Sequence, residues 1–213
     1  MLCSMLRSVR HSLLGNTRQF SKMVLDVEMN RIVWVDLEMT GLDIENDTIM
    51  EIACIVTDSD LNIIAEGPNL IIQTPEEKLK EMNEWCVKQH SKTGLTEAAK
   101  NSQITLQQAE DTVMDFITKH VTKSASPLAG NSVYMDRLFL KKYMPKLDEY
   151  LHYRIIDTST IKELCRRWNN DLFKNVPKKE YNHRALTDIR DSIKELQFYK
   201  GNFFKINESS NVI

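Results

Sequence analysis

Residues 32–43 read I-V-W-V-D-L-E-M-T-G-L-D, an apolar run that would be an ordinary buried strand if Asp36 and Glu38 did not interrupt it. Side chains two positions apart on a strand leave the same face, so both carboxylates point one way from a single backbone edge. Carboxylates are costly to bury unpaired. Two readings are open: the strand ends here and both acids reach solvent, or a hard divalent cation, which takes oxygen ligands, holds them in place. The choice depends on which other acids the fold brings to the same spot.

The rest of the chain supplies the frame. Ile49 to Thr57 (I-M-E-I-A-C-I-V-T) reads as a second buried strand, turned by Asp58-Ser59-Asp60. Asn62 to Gln73 reads as a third, and Gly67-Pro68 inside it argues for an edge position, because proline cannot donate to a ladder. Three consecutive strands with short connections imply an antiparallel meander. Thr74-Pro75-Glu76-Glu77 has the form of a capping box with proline at the first helical position, predicting one helix from there past Trp85 toward His90. A second box, Thr105 to Gln108, opens a helix that buries Leu106, Ala109, Val113, Phe116 and Ile117. Pro127 to Gly130 is a short strand leading through Asn131-Ser132 into a helix with Asp136, and Tyr153 to Asp157 is the last strand. A helix runs from Thr158 to Trp168, a polar loop covers Asn169 to Glu180, and a final helix starts near Asn182. Together these give an α/β fold, a mixed five-stranded sheet with an antiparallel meander followed by parallel strands and helices on both faces.

Length and composition exclude several alternatives. A chain of 213 residues with 42% hydrophobic and 27% charged residues suits one domain with a substantial core. No apolar run is long enough to span a bilayer, so no membrane role is expected. Cys3, Cys54, Cys86 and Cys165 show no C-x-x-C spacing, which points away from a zinc site or a disulfide framework and toward a reducing compartment. Residues 1–22 stand apart: Arg7, Arg10, Arg18 and Lys22 precede the first acid, Asp26, and Leu2, Leu6, Val9 and Leu13 fall on one helical face. An acid-free, arginine-bearing amphipathic start is the composition of a mitochondrial transit peptide, and the order Arg18-Gln19-Phe20-Ser21 suggests a cut after Phe20. Met23 and Met29 offer internal starts for a cytoplasmic form. Loss of residues 1–20, with their three arginines and no acid, takes the formal net charge from −2 to −5. A protein that tracks long or duplex nucleic acid neutralises many phosphates with a basic stripe, and none is visible here. A polyanionic substrate would have to be short or held locally through a metal.

Two later stretches combine acids with turn-to-helix geometry, G-N-S-V-Y-M-D ending at Asp136 and N-H-R-A-L-T-D ending at Asp188. His183 precedes Asp188 by five residues, so the entry to a helix carries the imidazole while the helix holds the acid. Four carboxylates from separate elements, with one histidine of ordinary pKa about 6.5, match the needs of two-metal phosphodiester hydrolysis, in which cations clamp the attacking and leaving oxygens.

In this arrangement D-L-E, N-S-V-Y-M-D and H-R-A-L-T-D resemble the three exonuclease motifs of the DEDD superfamily, histidine branch, whose fold is ribonuclease-H-like. W-V-D-L-E-M-T-G-L-D, L-A-G-N-S-V, Y-R-I-I-D and K-E-L-C-R-R-W resemble more narrowly the oligoribonuclease family of small RNA exonucleases, over a domain of residues 31–205 that leaves 206–213 as a tail. The resemblance implies Asp36, Glu38, Asp136 and Asp188 as ligands to two Mg²⁺ ions, with Mn²⁺ as a substitute, and His183 as general base. It implies that Leu42 and Trp85 sandwich the two bases of a dinucleotide and that His90, Ser132 and Ser159 cap its 5′ phosphate. Tyr153 and Arg154 would reach the site of the partner subunit in a homodimer with shared active sites. The implied activity is 3′ to 5′ hydrolysis of very short single-stranded RNA, dinucleotides above all, to nucleoside 5′-monophosphates, as the last step of RNA decay. A general exonuclease on the same fold and a catalytically dead RNA-binding module are the competing readings. The intact acid set with His183 speaks against the second.

Overall fold

The computed structural model describes residues 30–178 and 184–204. The expected leader and tail lie outside the described residues, as does His183.

Strands β1 (Ile32–Met39), β2 (Ile49–Thr57), β3 (Ile63–Ile71), β4 (Pro127–Gly130) and β5 (His152–Asp157) form one sheet in the order β3-β2-β1-β4-β5. The first three pair antiparallel, whereas β4 runs parallel to both β1 and β5, the mixed arrangement expected from the order of elements. β2 is buried along its whole length, as a continuous apolar run requires. β3 takes the edge, and its register against β2 slips opposite Cys54, where Gly67 and Pro68 sit. The slip is what a residue without an N–H imposes. A side chain at Gly67 would strike Cys54 Sγ and the Phe116 ring, so the edge approaches the layer below at that point.

The two faces of the sheet separate by residue parity. Val33, Val35 and Leu37 of β1, with Ile52, Cys54 and Val56 of β2, face helices α4 (Leu106–His120), α5 (Tyr134–Tyr143) and α6 (Pro145–Tyr150). Ile32 and Trp34, with Ala53 and Ile55, face α9 (Ala185–Asn202), and the buried Trp34 indole donates to Thr57 Oγ1 at 3.0 Å. Asp36 and Glu38 continue the Ile32–Trp34 parity and so lie on the α9 side. The Thr105 capping box forms as expected, with side-chain and backbone bonds exchanged between Thr105 and Gln108.

Three expectations are corrected. The helix from Thr74 is two helices, α1 (Glu76–Glu81) and α2 (Glu84–Lys92), with extended backbone at Met82 and Asn83 between them. Asn83 caps the second by accepting from Cys86 N at 3.0 Å, while Thr74 caps nothing and donates instead to Ile72 O. A short α3 (Leu95–Asn101) was not foreseen, nor was α6, whose proline stands in its first turn. The segment from Asn169 is not all loop either, since α8 (Asn170–Phe173) follows α7 (Thr158–Trp168) directly. Among the described residues, no helix is long and apolar enough to cross a membrane.

Candidate active site

β1 runs past the end of its short parallel neighbour, which pairs only with Val33 and Trp34. Beyond that point its backbone amides on the β4 side need other partners. Asp136, in the first turn of α5, supplies one: its Oδ1 accepts the Leu37 N–H at 2.9 Å. The acid is thereby held against the backbone between Asp36 and Glu38. Asp188 comes in from the first turn of α9, and one carboxylate oxygen from each of Asp36, Glu38 and Asp188 lies within 4.8 Å of the other two. Three of the four acids thus form a cluster, with the fourth beside it at Leu37.

This donor set fits a hard divalent cation. Oxygens at Mg²⁺–O distances of about 2.1 Å lie roughly 3 to 4.2 Å apart around one ion, a spacing the cluster can supply with small adjustments. Electrostatics agree. Burial, then the charges of Asp188, Glu51 and Asp136, pushes the Glu38 carboxyl up to about 8. Burial likewise pushes Asp136 up to about 7, with the Asp157 charge adding to it and the Leu37 amide opposing it. A site that strains so hard against its own negative charge is one built for a counter-charge.

The proposed substrate residues surround this cluster unevenly. Leu42 and Trp85, expected to hold the two bases, are 65% and 59% exposed. Leu42 rides on a turn organised by Asp47, which accepts from Thr40 Oγ1 at 2.7 Å and Asp43 N at 2.9 Å. A Cβ at Gly41 would come within 2.3 Å of that carboxylate, so any other residue there would displace Asp47 from the bonds that organise the turn. His90, on the same helix as Trp85, is buried, with Nε2 2.9 Å from Met39 O and Nδ1 3.9 Å from Glu38 Oε2. It ties the Trp85 helix to the end of β1.

Ser132 and Ser159 meet where β4 and β5 end side by side, their hydroxyls 3.2 Å apart. Ser132 has a left-handed backbone, φ +52°, unusual for serine, and its N–H donates to Asp157 Oδ1 and Ser159 Oγ. Asn131 links this pair to α9: it accepts from Ser159 Oγ at 3.2 Å and donates to Ser192, which donates to Asp188 O. Tyr153 and Arg154 are not brought to this cluster. They sit at the start of the exposed edge strand, Tyr153 74% exposed and stacked on His152, about 13 Å of strand away from the Asp157 end.

Two residues at the site were not picked out from the sequence. Glu51 of β2 lies directly opposite Glu38 in the ladder, is fully buried, and takes three hydrogen bonds from the Arg184 guanidinium at 2.9 to 3.2 Å. The signal was available for Glu51, because an acid inside I-M-E-I-A-C-I-V-T raises the same question as Asp36 and Glu38. Nothing in the sequence around Arg184 marked it.

Residues 33–196 match the RNase T exonuclease family. The chain is 61% identical over 175 residues to human mitochondrial oligoribonuclease, spanning 82% of this chain and 74% of that one. It is 53% identical to a probable oligoribonuclease of Drosophila melanogaster over 90% of this chain and 89% of the relative. Its fold is similar to that of Escherichia coli exonuclease I, solved with zinc and single-stranded DNA, at a TM-score of 0.64 and 15% identity. That likeness covers 81% of this chain and 40% of the other, and it carries the ribonuclease-H-like fold expected from the motifs. With identities above half along most of its length, this chain belongs to the oligoribonuclease family of exonucleases.

Proposed function

We propose that the protein is a divalent-metal-dependent 3′ to 5′ exoribonuclease of short oligoribonucleotides, with dinucleotides its best substrates and nucleoside 5′-monophosphates its products. The observation that carries this reading is the Asp36, Glu38 and Asp188 cluster with Asp136 fixed beside it. Two Mg²⁺ ions, when bound there, supply the positive charge that stabilises the attacking and leaving oxygens of the displacement. The chain's own residues do the rest. Leu42 and Trp85 hold the two bases and Ser132 and Ser159 receive the 5′ phosphate, which fixes the scissile bond over the carboxylates, while His90, expected in the same cap, is buried against Met39 O and Glu38 and acts by holding the Trp85 helix in place. His183 takes the proton of the attacking water, a part an imidazole is chemically suited to at neutral pH.

The names of the family's members support short RNA as the substrate, and the human relative's name supports a mitochondrial location. The acid-free, arginine-bearing residues 1–22 are the proposed import signal. Full-length chain tagged at its C terminus should enter mitochondria and lose that address when residues 1–22 are deleted. A tag that stays cytoplasmic with the segment present would refute it.

The direct test of the chemistry uses a 3′-labelled short RNA with Mg²⁺ and then with chelator. Release of labelled mononucleotide first, its loss in chelator, and an ascending pH limb that vanishes in His183→Ala while Mn²⁺ binding persists are the expected results. Release of label only in the final product, as a 5′ to 3′ enzyme gives, would overturn the polarity. Loss of Mn²⁺ binding in His183→Ala would make the residue a ligand rather than a base.

A further inference from the structure

Glu51 is an acid that the hydrolytic reaction has no evident use for. It lies on the α9 face of β2, facing Glu38 across the ladder, with no exposed surface, so a fifth carboxylate, after Asp36, Glu38, Asp188 and Asp136, stands at the rim of a cluster already crowded with like charge. A carboxylate in that position must protonate, join the ligands, or be neutralised by a fixed cation. The structure takes the third course. Arg184 Nε reaches both Glu51 oxygens at 3.2 and 3.0 Å, and Nη2 reaches Oε1 at 2.9 Å, the fork geometry in which arginine is strongest.

The same arginine governs where α9 begins. Arg184 is the residue just before the helix, and its carbonyl accepts from Thr187 N at 2.9 Å and Asp188 N at 3.0 Å. Among the described residues no side chain caps this helix, so Arg184 is the described contact that ties its start to the sheet. Asp188 lies in that first turn. The long-range clasp of Arg184 on β2 therefore sets the height and rotation at which Asp188 meets Asp36 and Glu38 on the neighbouring strand.

We propose that Glu51 and Arg184 form a positioning pair: the buried Glu51 carboxylate, held by the Arg184 fork, docks the start of α9 so that Asp188 completes the carboxylate cluster. The pair touches neither substrate nor metal, and it acts through Asp188. Charge neutralisation is its second effect, because a locked guanidinium keeps Glu51 from swinging into the cluster as a misplaced ligand. The proposal rests on the reading that the cluster binds divalent cations.

The test is calorimetric titration of Mn²⁺ into the metal-stripped full-length protein, for the wild type, Glu51→Gln, Arg184→Gln and the double variant, with thermal unfolding in chelator and kinetics alongside. Each single variant should bind Mn²⁺ about tenfold more weakly and lose kcat by about tenfold or more with KM little changed, the range seen when supporting partners of metal ligands are removed. Because the two side chains act as one unit, the double variant should lose no more than the worse single. Wild-type protein that fails to bind Mn²⁺ defeats the metal reading itself. Wild-type binding with unchanged Mn²⁺ affinity in both singles, even if their midpoints in chelator fall, overturns the positioning role. Multiplicative losses in the double, or tighter Mn²⁺ binding in Arg184→Gln, overturn it too. If a single variant does not fold, Arg184→Lys, which keeps the charge and loses the fork, is read in the same way, with weaker Mn²⁺ binding expected.

Discussion

At the scale of single residues, the site is defined by acids kept where they are least comfortable. Glu38 is pushed up to about 8, chiefly by burial, and Asp136 to about 7, again chiefly by burial. In the unfolded chain both would release their protons near pH 4, at about the ordinary carboxylate values. Between about pH 4 and 8 the folded, metal-free protein therefore binds more protons than the unfolded chain, and stability falls as pH rises through that window. Divalent cations bind the deprotonated groups and stabilise only the folded state, so they should flatten or reverse the slope. Chemical unfolding in chelator at pH 5, 6.5 and 8, repeated with Mg²⁺, measures both effects. A metal-free protein that is more stable at pH 8 than at pH 5 would contradict the assignment of these shifts. Asp36 and Glu38 were legible because two acids broke an apolar run, and Asp136 and Asp188 because motifs placed them. Glu51 broke a run in the same way and was passed over, since its partner Arg184 lies 133 residues away and only the folded sheet brings them together.

At the scale of elements, β1 and β2 were read from the apolar runs that burial leaves, the half-exposed β3 and β5 from their β-branched residues and flanking turns, and the helices less well where capping signals competed. Thr74-Pro75-Glu76-Glu77 has the letters of a capping box, yet Asn83 nine residues on is a stronger local signal, and the chain restarts its helix there. The restart sets two positions, because α2 begins beside the exposed Trp85, the proposed base-stacking residue, and in its last turn docks His90 on Met39 O. Asn83→Ala should cost about 1 kcal/mol of stability and Asn83→Gly only a few tenths, as measured by denaturant unfolding. Trp85→Ala should leave stability nearly unchanged but lower kcat/KM on dinucleotides roughly 10- to 100-fold, the kinetic equivalent of one base stacked on an aromatic. If Trp85→Ala turned over dinucleotides at the wild-type rate, the clamp would have to be assigned elsewhere. Helices α3 and α6 escaped notice because seven- and six-residue segments carry too few turns for periodicity to declare itself.

At the scale of the whole molecule, the unexplained feature of one chain is its far edge. Tyr153 and Arg154 stand on β5, exposed and distant from the cluster of their own subunit, which is where residues that serve a partner's site would be found. If the homodimer shares sites, mixing a Tyr153→Ala/Arg154→Ala subunit with an Asp136→Ala subunit should regenerate one complete site per heterodimer and recover activity that neither variant has alone. Mixtures that exchange subunits and stay inactive would count against sharing. The formal charge also bears on the whole: at −2 over 213 residues, the sequence shows no basic stripe of the kind that longer RNA would follow. On the proposed function, substrate strength comes from the Leu42 and Trp85 clamp and the phosphate cap, a pairing suited to two nucleotides and a terminal phosphate. The central claim is therefore tested most directly by kcat/KM across a series of 5′-phosphorylated RNAs from two to ten nucleotides, with Mg²⁺, beside the same series lacking the 5′ phosphate. Efficiency should peak at two nucleotides, fall with each added nucleotide, and drop sharply when the phosphate is removed. Equal efficiency at two and ten nucleotides, with indifference to the 5′ phosphate, would show a general exonuclease and contradict this account.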